Sequence, residues 1–489
     1  TCGMKKEMLN LLTYRKFMAR FFDPPAPKAP VEESKVKKVY SSMRLKVFLG
    51  AFLGYAGYYL VRKNLSLAAP GMIDEGLLDK AGIGIAMSAV SIAYAFSKFI
   101  MGSISDRSDA RKFLCVGLLL SSLAMIVAGV FPYSASSMAF NVATVFFLML
   151  IVGWLSGMGW PPCGRIMAHW FSQNERSFKM SVWNTSHTFG SGSLGLLASL
   201  GMTAVVAFGV PVVESWRGAF ILPAIVAIFI AAICWLLIRD TPQSCGLPSI
   251  NDYRHDYSGV GSRQDDTKKI PFRTLFVDYV FKNRLLWIIA FANAFVYMVR
   301  YGVGDWAPIY LQESGMMTAA ESNLAFSLHN YAGILGTIVC GYVSARFFKG
   351  RCTPPNVIFM ILVLAGTLLY WQADNVATLF VPARSAVYPI LCKSLVYSAL
   401  IIVGFCIYGP VAMLGIQAVN LVPKNAAGTA AGFVGLFGYL FGDAILSKLL
   451  MGTVAQNAGW HVTFMLLAFA SIAAVLLCSL TWRSEKQLA

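Results

Sequence analysis

The chain of 489 residues is 57% hydrophobic and only 13% charged, which excludes an ordinary soluble domain. Its formal net charge is +17, which raises nucleic acid as a partner until the placement of the charges is considered. Long apolar runs without the ten-residue alternation of a β-barrel point to an all-α membrane protein.

In chain order, residues 1–43 are charged and proline-bearing, and Thr1, Cys2 and Gly3 precede Met4. They contain no apolar core followed by a small-residue cleavage site, so a cytoplasmic segment is expected here and not a cleavable leader. Six spans are predicted next, at 45–64, 82–103, 113–132, 139–160, 180–206 and 218–238, making a first half over 44–238. Residues 239–284 read as a hydrophilic cytoplasmic linker. Six more spans follow at 285–304, 323–345, 355–371, 391–415, 427–450 and 462–482, a second half over 285–482 before a short tail at 483–489.

The basic residues sort between alternate connections. Of the 40 Lys and Arg, 31 fall at the N-terminus, on the even-numbered connections and at the C-terminus. The odd-numbered connections hold four: Lys80, Arg217, Arg384 and Lys393. This bias predicts both termini in the cytoplasm, and it makes the net charge a topology signal, so no nucleic acid is expected.

The two halves echo each other. YYLVR ends at Arg62 and YMVR ends at Arg300, an offset of 238 residues, while GSISDRSDAR from Gly102 and GYVSARFFKGR from Gly341 are offset by 239. Duplicated six-helix units around a central site describe a secondary transporter. The repeat puts Arg62 and Arg300 at matched places, facing each other across a central cavity. An arginine at the centre of a membrane helix costs roughly 2.5–3.5 kcal/mol on insertion scales, so a facing pair calls for an anion. A guanidinium fork suits phosphate in a way that lysine does not. Two other readings stand beside this one: Arg62, near the expected end of span 1, snorkels to the interface, or Arg300 pairs with Asp305.

Tyrosines flank the arginines, and Tyr59 and Tyr297 each stand three residues before one. Tyr94 and Lys98 are one turn apart on span 2. His187, in SVWNTSHTFGSG, either couples a proton to anion binding or is a neutral, hydrogen-bonded helix histidine. GWLSGMGWPPCGR (153–165) reads as a close-packed, kinked helix end. GTAAGFVGLFGYLFGD (428–443) lacks the GK[ST] of a nucleotide loop, and the ten cysteines show no CxxC spacing, so neither a cofactor nor a metal is expected.

With FLGYAGYYLVRKN, SIAYAFSKFIMGSISDRS, GMGWPPCGR, RDTPQSCGLP and GTAAGFVGLFGYL in view, the chain resembles the organophosphate:phosphate antiporters of the major facilitator superfamily, in their glycerol-3-phosphate branch, over about residues 44–482. The resemblance implies twelve transmembrane helices in two six-helix pseudo-symmetric halves and exchange of glycerol 3-phosphate for inorganic phosphate without ATP. It implies a carrier in the inner membrane that works as a monomer and is not an enzyme. By the same resemblance Arg62 and Arg300 clasp the phosphate, and Lys98, His187, Tyr55, Tyr59, Tyr94, Tyr297, Tyr408 and Tyr439 line the cavity.

Two departures stand out. Ala345 occupies a position that usually carries Asp, and span 11 carries Asp443 and Lys448 where that branch is neutral. Five residues apart, these two are expected about 140° apart on an α-helix, off a common face. They are the candidate selectivity residues between glycerol 3-phosphate and a hexose 6-phosphate. A sugar-phosphate sensor on the same scaffold is the other alternative.

Overall fold

In the computed structural model residues 21–105, 107–255, 277, 280–422 and 427–482 are described, and no strand occurs among them. Asp106, half of the linker and the tail at 483–489 lie outside the described residues. Each expected span coincides with helix. Among the described residues eleven helices are long and apolar enough to cross a membrane. Span 1 is the exception. It begins early, at Glu33, and runs to Leu60, and a second helix, Asn64–Asp74, continues it after an interruption.

Spans 2 (Lys80–Ser105) and 11 (Ala427–Asn457) form one seam between the halves, and spans 5 (Ser186–Ala207) and 8 (Ala319–Phe347) form the other. Lipid offers helices no hydrophobic gain for associating, so close van der Waals approach must hold them, and small residues permit it. At the first seam a Cβ on Gly84 would collide with the Lys448 carbonyl, and one on Gly452 would stand 3.1 Å from the Gly84 Cα. At the second, a Cβ on Gly195 would collide with Ser327 and with the Asn323 carbonyl. In GWLSGMGWPPCGR, span 4 ends at Ser156 and a new helix, Trp160–Trp170, starts with prolines in its first turn. That matches the structural role expected of the motif.

The seams are tied at the end of the bundle away from the termini. Lys80 Nζ donates to Glu313 at 2.7 Å, and the Lys80 backbone N–H donates to Gln456 at 3.1 Å. Trp460 Nε1 donates to the other oxygen of Glu313 at 2.9 Å, and Asn323 donates to Ser199 at 3.1 Å. Arg217 and Lys393 at this end also have acidic partners, Glu214 and Glu321, each at 2.5 Å. Three of the four basic residues here are therefore neutralised locally, which sharpens the charge asymmetry read from the sequence.

At the opposite end Asp109 caps span 3, and Asp240 accepts from Ala110 N and from Arg165, both at 3.0 Å. The corresponding turn of the second half joins Ser344 to the Arg351 carbonyl at 2.8 Å, with Ala345 in the last turn of span 8 offering no carboxylate.

Two glycines of span 8 test the packing argument. Gly336 is pressed against the Phe405 carbonyl of span 10, whereas a Cβ on Gly341 would only reach Met413 at 3.8 Å. Gly336→Ala should therefore lower the thermal midpoint in detergent by the equivalent of about 1–3 kcal/mol of overpacking. Gly341→Ala should hold or raise it, because alanine is the better helix former by roughly 0.5–1 kcal/mol. Fluorescence-detected size exclusion after heating reads both, and equal midpoints would refute the argument.

Candidate functional site

The interruption in span 1 sits where the charges are. Val61 and Lys63 have left helical geometry, with φ of −120° and −118°, and Arg62 lies between them. Non-helical backbone at membrane depth persists only where it is buried in protein or lines a cavity. Here Asn64 Nδ2 donates to the Ala219 carbonyl at 2.9 Å, and Ser66 and Lys63 reach across to span 7. Arg62 is 7% exposed and has a further helix beyond it, so it does not snorkel from a helix end.

Arg300 sits inside the unbroken helix of span 7, Arg284–Glu313, and is 5% exposed. Both guanidiniums are caged by rings. Arg62 stands 4.0 Å from the ring of Tyr94, 5.4 Å from Tyr59 and 5.8 Å from Tyr439. Arg300 stands 4.4 Å from Tyr408, 4.8 Å from Tyr301 and 5.6 Å from Tyr297. A cation over an aromatic face gains about 0.5–2 kcal/mol, a fraction of what an ion pair gives in a dry site. Among the described residues neither guanidinium forms a salt bridge, and Arg300 Nε has no hydrogen-bond partner.

The rings form two connected groups that meet at the Arg62 guanidinium. Tyr439 packs edge-on against Tyr94 at 5.0 Å and against Tyr297 at 5.1 Å, joining the halves. Tyr59 contacts Tyr55 and His187, and His187 contacts Tyr408 at 6.0 Å. His187 is partly exposed, and its Nδ1 bonds the Asn184 carbonyl. A carbonyl can only accept, so that nitrogen carries a proton and Nε2 is left for another partner. Tyr58 shows how little a tyrosine near the site signifies on its own: its hydroxyl donates to the Leu114 carbonyl at 2.9 Å, inside the first half.

Of the ten residues expected to line the cavity, nine fall in this assembly and Lys98 does not. It is exposed one turn beyond Tyr94, with its ammonium 5.7 Å from the Trp160 ring.

Two expectations about carboxylates fail. Asp305 does not pair with Arg300. It accepts from Lys63 Nζ at 2.7 Å on one oxygen and from Lys448 on the other. Nor do Asp443 and Lys448 lie on different faces. Residues 437–450 wind as a π-helix, in which each amide bonds the fifth carbonyl back. Residues i and i+5 then stack as i and i+4 do in an α-helix, and the Asp443 and Lys448 heads come to 3.9 Å. Ser91 of span 2 donates to Asp443 at 2.5 Å. Lys63 was visible beside Arg62 in the sequence, but its partner 242 residues away was not. Arg62, Lys63, Ser66, Asp305, Asp443 and Lys448 border a cavity of about 30 Å³ between spans 1, 2, 7 and 11.

The Major Facilitator Superfamily profile matches residues 48–447. The chain is 45% identical to the glycerol-3-phosphate transporter of Bacillus subtilis (strain 168), covering 96% of this chain and 99% of that one. It is 33% identical to a probable hexose phosphate transport protein of Chlamydia trachomatis, covering 96% and 97%. A bacterial homologue of the human lysosomal transporter Spinster, in an inward-facing and unoccupied conformation, superposes with a TM-score of 0.64 at 15% identity, over 90% of this chain and 95% of that one. The chain belongs to the Major Facilitator Superfamily, in its organophosphate:phosphate antiporter family.

Proposed function

We propose that the protein is a secondary transporter that exchanges glycerol 3-phosphate for inorganic phosphate by alternating access. It acts as a monomer in the cytoplasmic membrane, with both termini in the cytoplasm. The observation that carries this reading is the pair of buried guanidiniums, one from each half, caged by tyrosines and lacking carboxylate partners. A phosphate dianion supplies the missing charge and accepts fork-like hydrogen bonds from both. Tyr59, Tyr94, Tyr297, Tyr408 and Tyr439 offer hydroxyls around it, with Tyr55 and His187 behind.

Without an anion the two cations repel across the gap between the halves. A bound phosphate removes that repulsion and draws the halves together. Reorientation then requires cargo in each direction, which is exchange. Asp443 and Lys448 act on the choice of organic phosphate through the charge cluster around Asp305.

Arg62→Lys and Arg300→Lys keep the charge and lose the fork. Each should cut exchange of labelled phosphate in phosphate-loaded proteoliposomes about 10- to 100-fold, the worth of a charge-assisted hydrogen bond or two. Near-normal affinity in both variants would refute the clasp. Binding of glycerol 3-phosphate without flux in the wild type would favour the sensor.

The tie between Lys80 and Glu313 must open for the cavity to face the other way. Lys80→Ala should therefore enrich the outward-open state, by about two- to five-fold for a partly exposed ion pair. Spin labels at Ser136→Cys and Ala386→Cys, on the connections of opposite halves at that end, read the separation by pulsed EPR. A distance distribution unchanged by Lys80→Ala would remove the tie from the gate.

A further inference from the structure

The two buried carboxylates of the charge cluster are not equally occupied. Asp305 has both oxygens taken, by Lys63 and Lys448. Asp443 is 2% exposed, and its Oδ2 accepts from Ser91. Its Oδ1 has no hydrogen-bond partner among the described residues. The Lys448 ammonium is 3.9 Å from that oxygen, beyond hydrogen-bond range, and is committed to Asp305. A buried carboxylate oxygen without a hydrogen-bond partner is costly, so its retention calls for a donor that arrives with the ligand. The oxygen belongs to a side chain bordering the same cavity as Arg62, so a group held at the arginine by its phosphate has its other end here.

We propose that this cavity is the subsite for the organic part of the substrate, and that Asp443 accepts a hydrogen bond from a substrate hydroxyl. The proposal rests on the reading of Arg62 and Arg300 as the phosphate site. Chemistry and size both restrict the occupant. Ser66 and Ser91 add hydroxyls beside the carboxylate, a lining suited to an alcohol. The nearby ammonium groups do not make a second anion site, because both are tied to Asp305 and an added carboxylate would meet Asp443. A cavity of about 30 Å³ corresponds to roughly two waters, which suits a hydroxymethyl group and not a hexose ring. The substrate class is therefore the phosphomonoester of a small polyol with no further charge. Asp443 serves here as a hydroxyl acceptor.

Competition against labelled phosphate exchange in proteoliposomes tests this with a matched set of esters. Propyl phosphate has the carbon chain of glycerol 3-phosphate without its hydroxyls. In the wild type glycerol 3-phosphate should compete about ten-fold better than propyl phosphate or more, and better than 3-phosphoglycerate and glucose 6-phosphate. In Asp443→Ala the ratio of glycerol 3-phosphate to propyl phosphate should fall to about one, and Asp443→Asn, which keeps an accepting oxygen, should retain part of it. Such a cycle isolates the hydroxyl–carboxylate term from general damage to the carrier. An unchanged ratio in Asp443→Ala would overturn the proposal. So would a wild type that does not rank the esters by their hydroxyls, a readout that stands even when neither variant folds. Equal competition by 3-phosphoglycerate or glucose 6-phosphate would overturn the substrate class. Absence of any wild-type phosphate exchange would instead strike the phosphate site itself.

Discussion

Two guanidinium groups buried in a membrane protein without a carboxylate between them set the terms for everything around them. Each has traded its hydration for aromatic faces, and aromatic faces return only part of what was lost. The protein keeps Arg62 and Arg300 in this condition by surrounding them with packed elements that cannot relax toward them. The carboxylates that could have answered them, Asp305 and Asp443, are engaged elsewhere, with Lys63, Lys448 and Ser91. The cluster on Asp305 thus has a role beyond its own energy: it withholds the counter-ions and leaves the arginines dependent on an anion from outside.

That division of labour also couples the halves. Lys63 and Ser66 come from span 1, and Ser91 comes from span 2. Asp305 comes from span 7, and Lys448 and Asp443 from span 11. Removing one member of such a buried set strands its partner, at a cost of about 3–5 kcal/mol in comparable pairs. The seams around the cluster are built from glycines, so the helices can approach closely, and the last ties lie at the far end, between Lys80, Glu313, Gln456 and Trp460. These ties are partly exposed and individually weak. The arrangement is firm at its centre and releasable at its rim.

How much of this the sequence disclosed depended on whether the signal was local. Apolar runs gave every span, because burying backbone in lipid leaves the helix as the solution for an open chain. Arg62 and Arg300 were legible because a repeated pattern, YYLVR and YMVR, survived at one offset. The tyrosines came with them, as neighbours at helical spacing. The pairing of Lys63 with Asp305 was not legible, since it joins residues far apart in the chain through a break in span 1 that no proline or glycine announces. The alignment of Asp443 with Lys448 was read wrongly for a definite reason: five residues subtend different angles in α and π windings, and composition does not choose between them. Lys98 was assigned by the resemblance alone, which carries residue identity without carrying the direction of a side chain.

The break in span 1 has a consequence for how the molecule is made. Translation delivers Arg62 and Lys63 to the membrane before the second half of the bundle is made. The carboxylate partner of Lys63 is 242 residues further on, and Lys448 is later still. Until span 7 exists, Lys63 stands uncompensated beside Arg62, each cation costing roughly 2.5–3.5 kcal/mol at the bilayer centre. Span 1 is a poor candidate for independent integration by the insertion machinery.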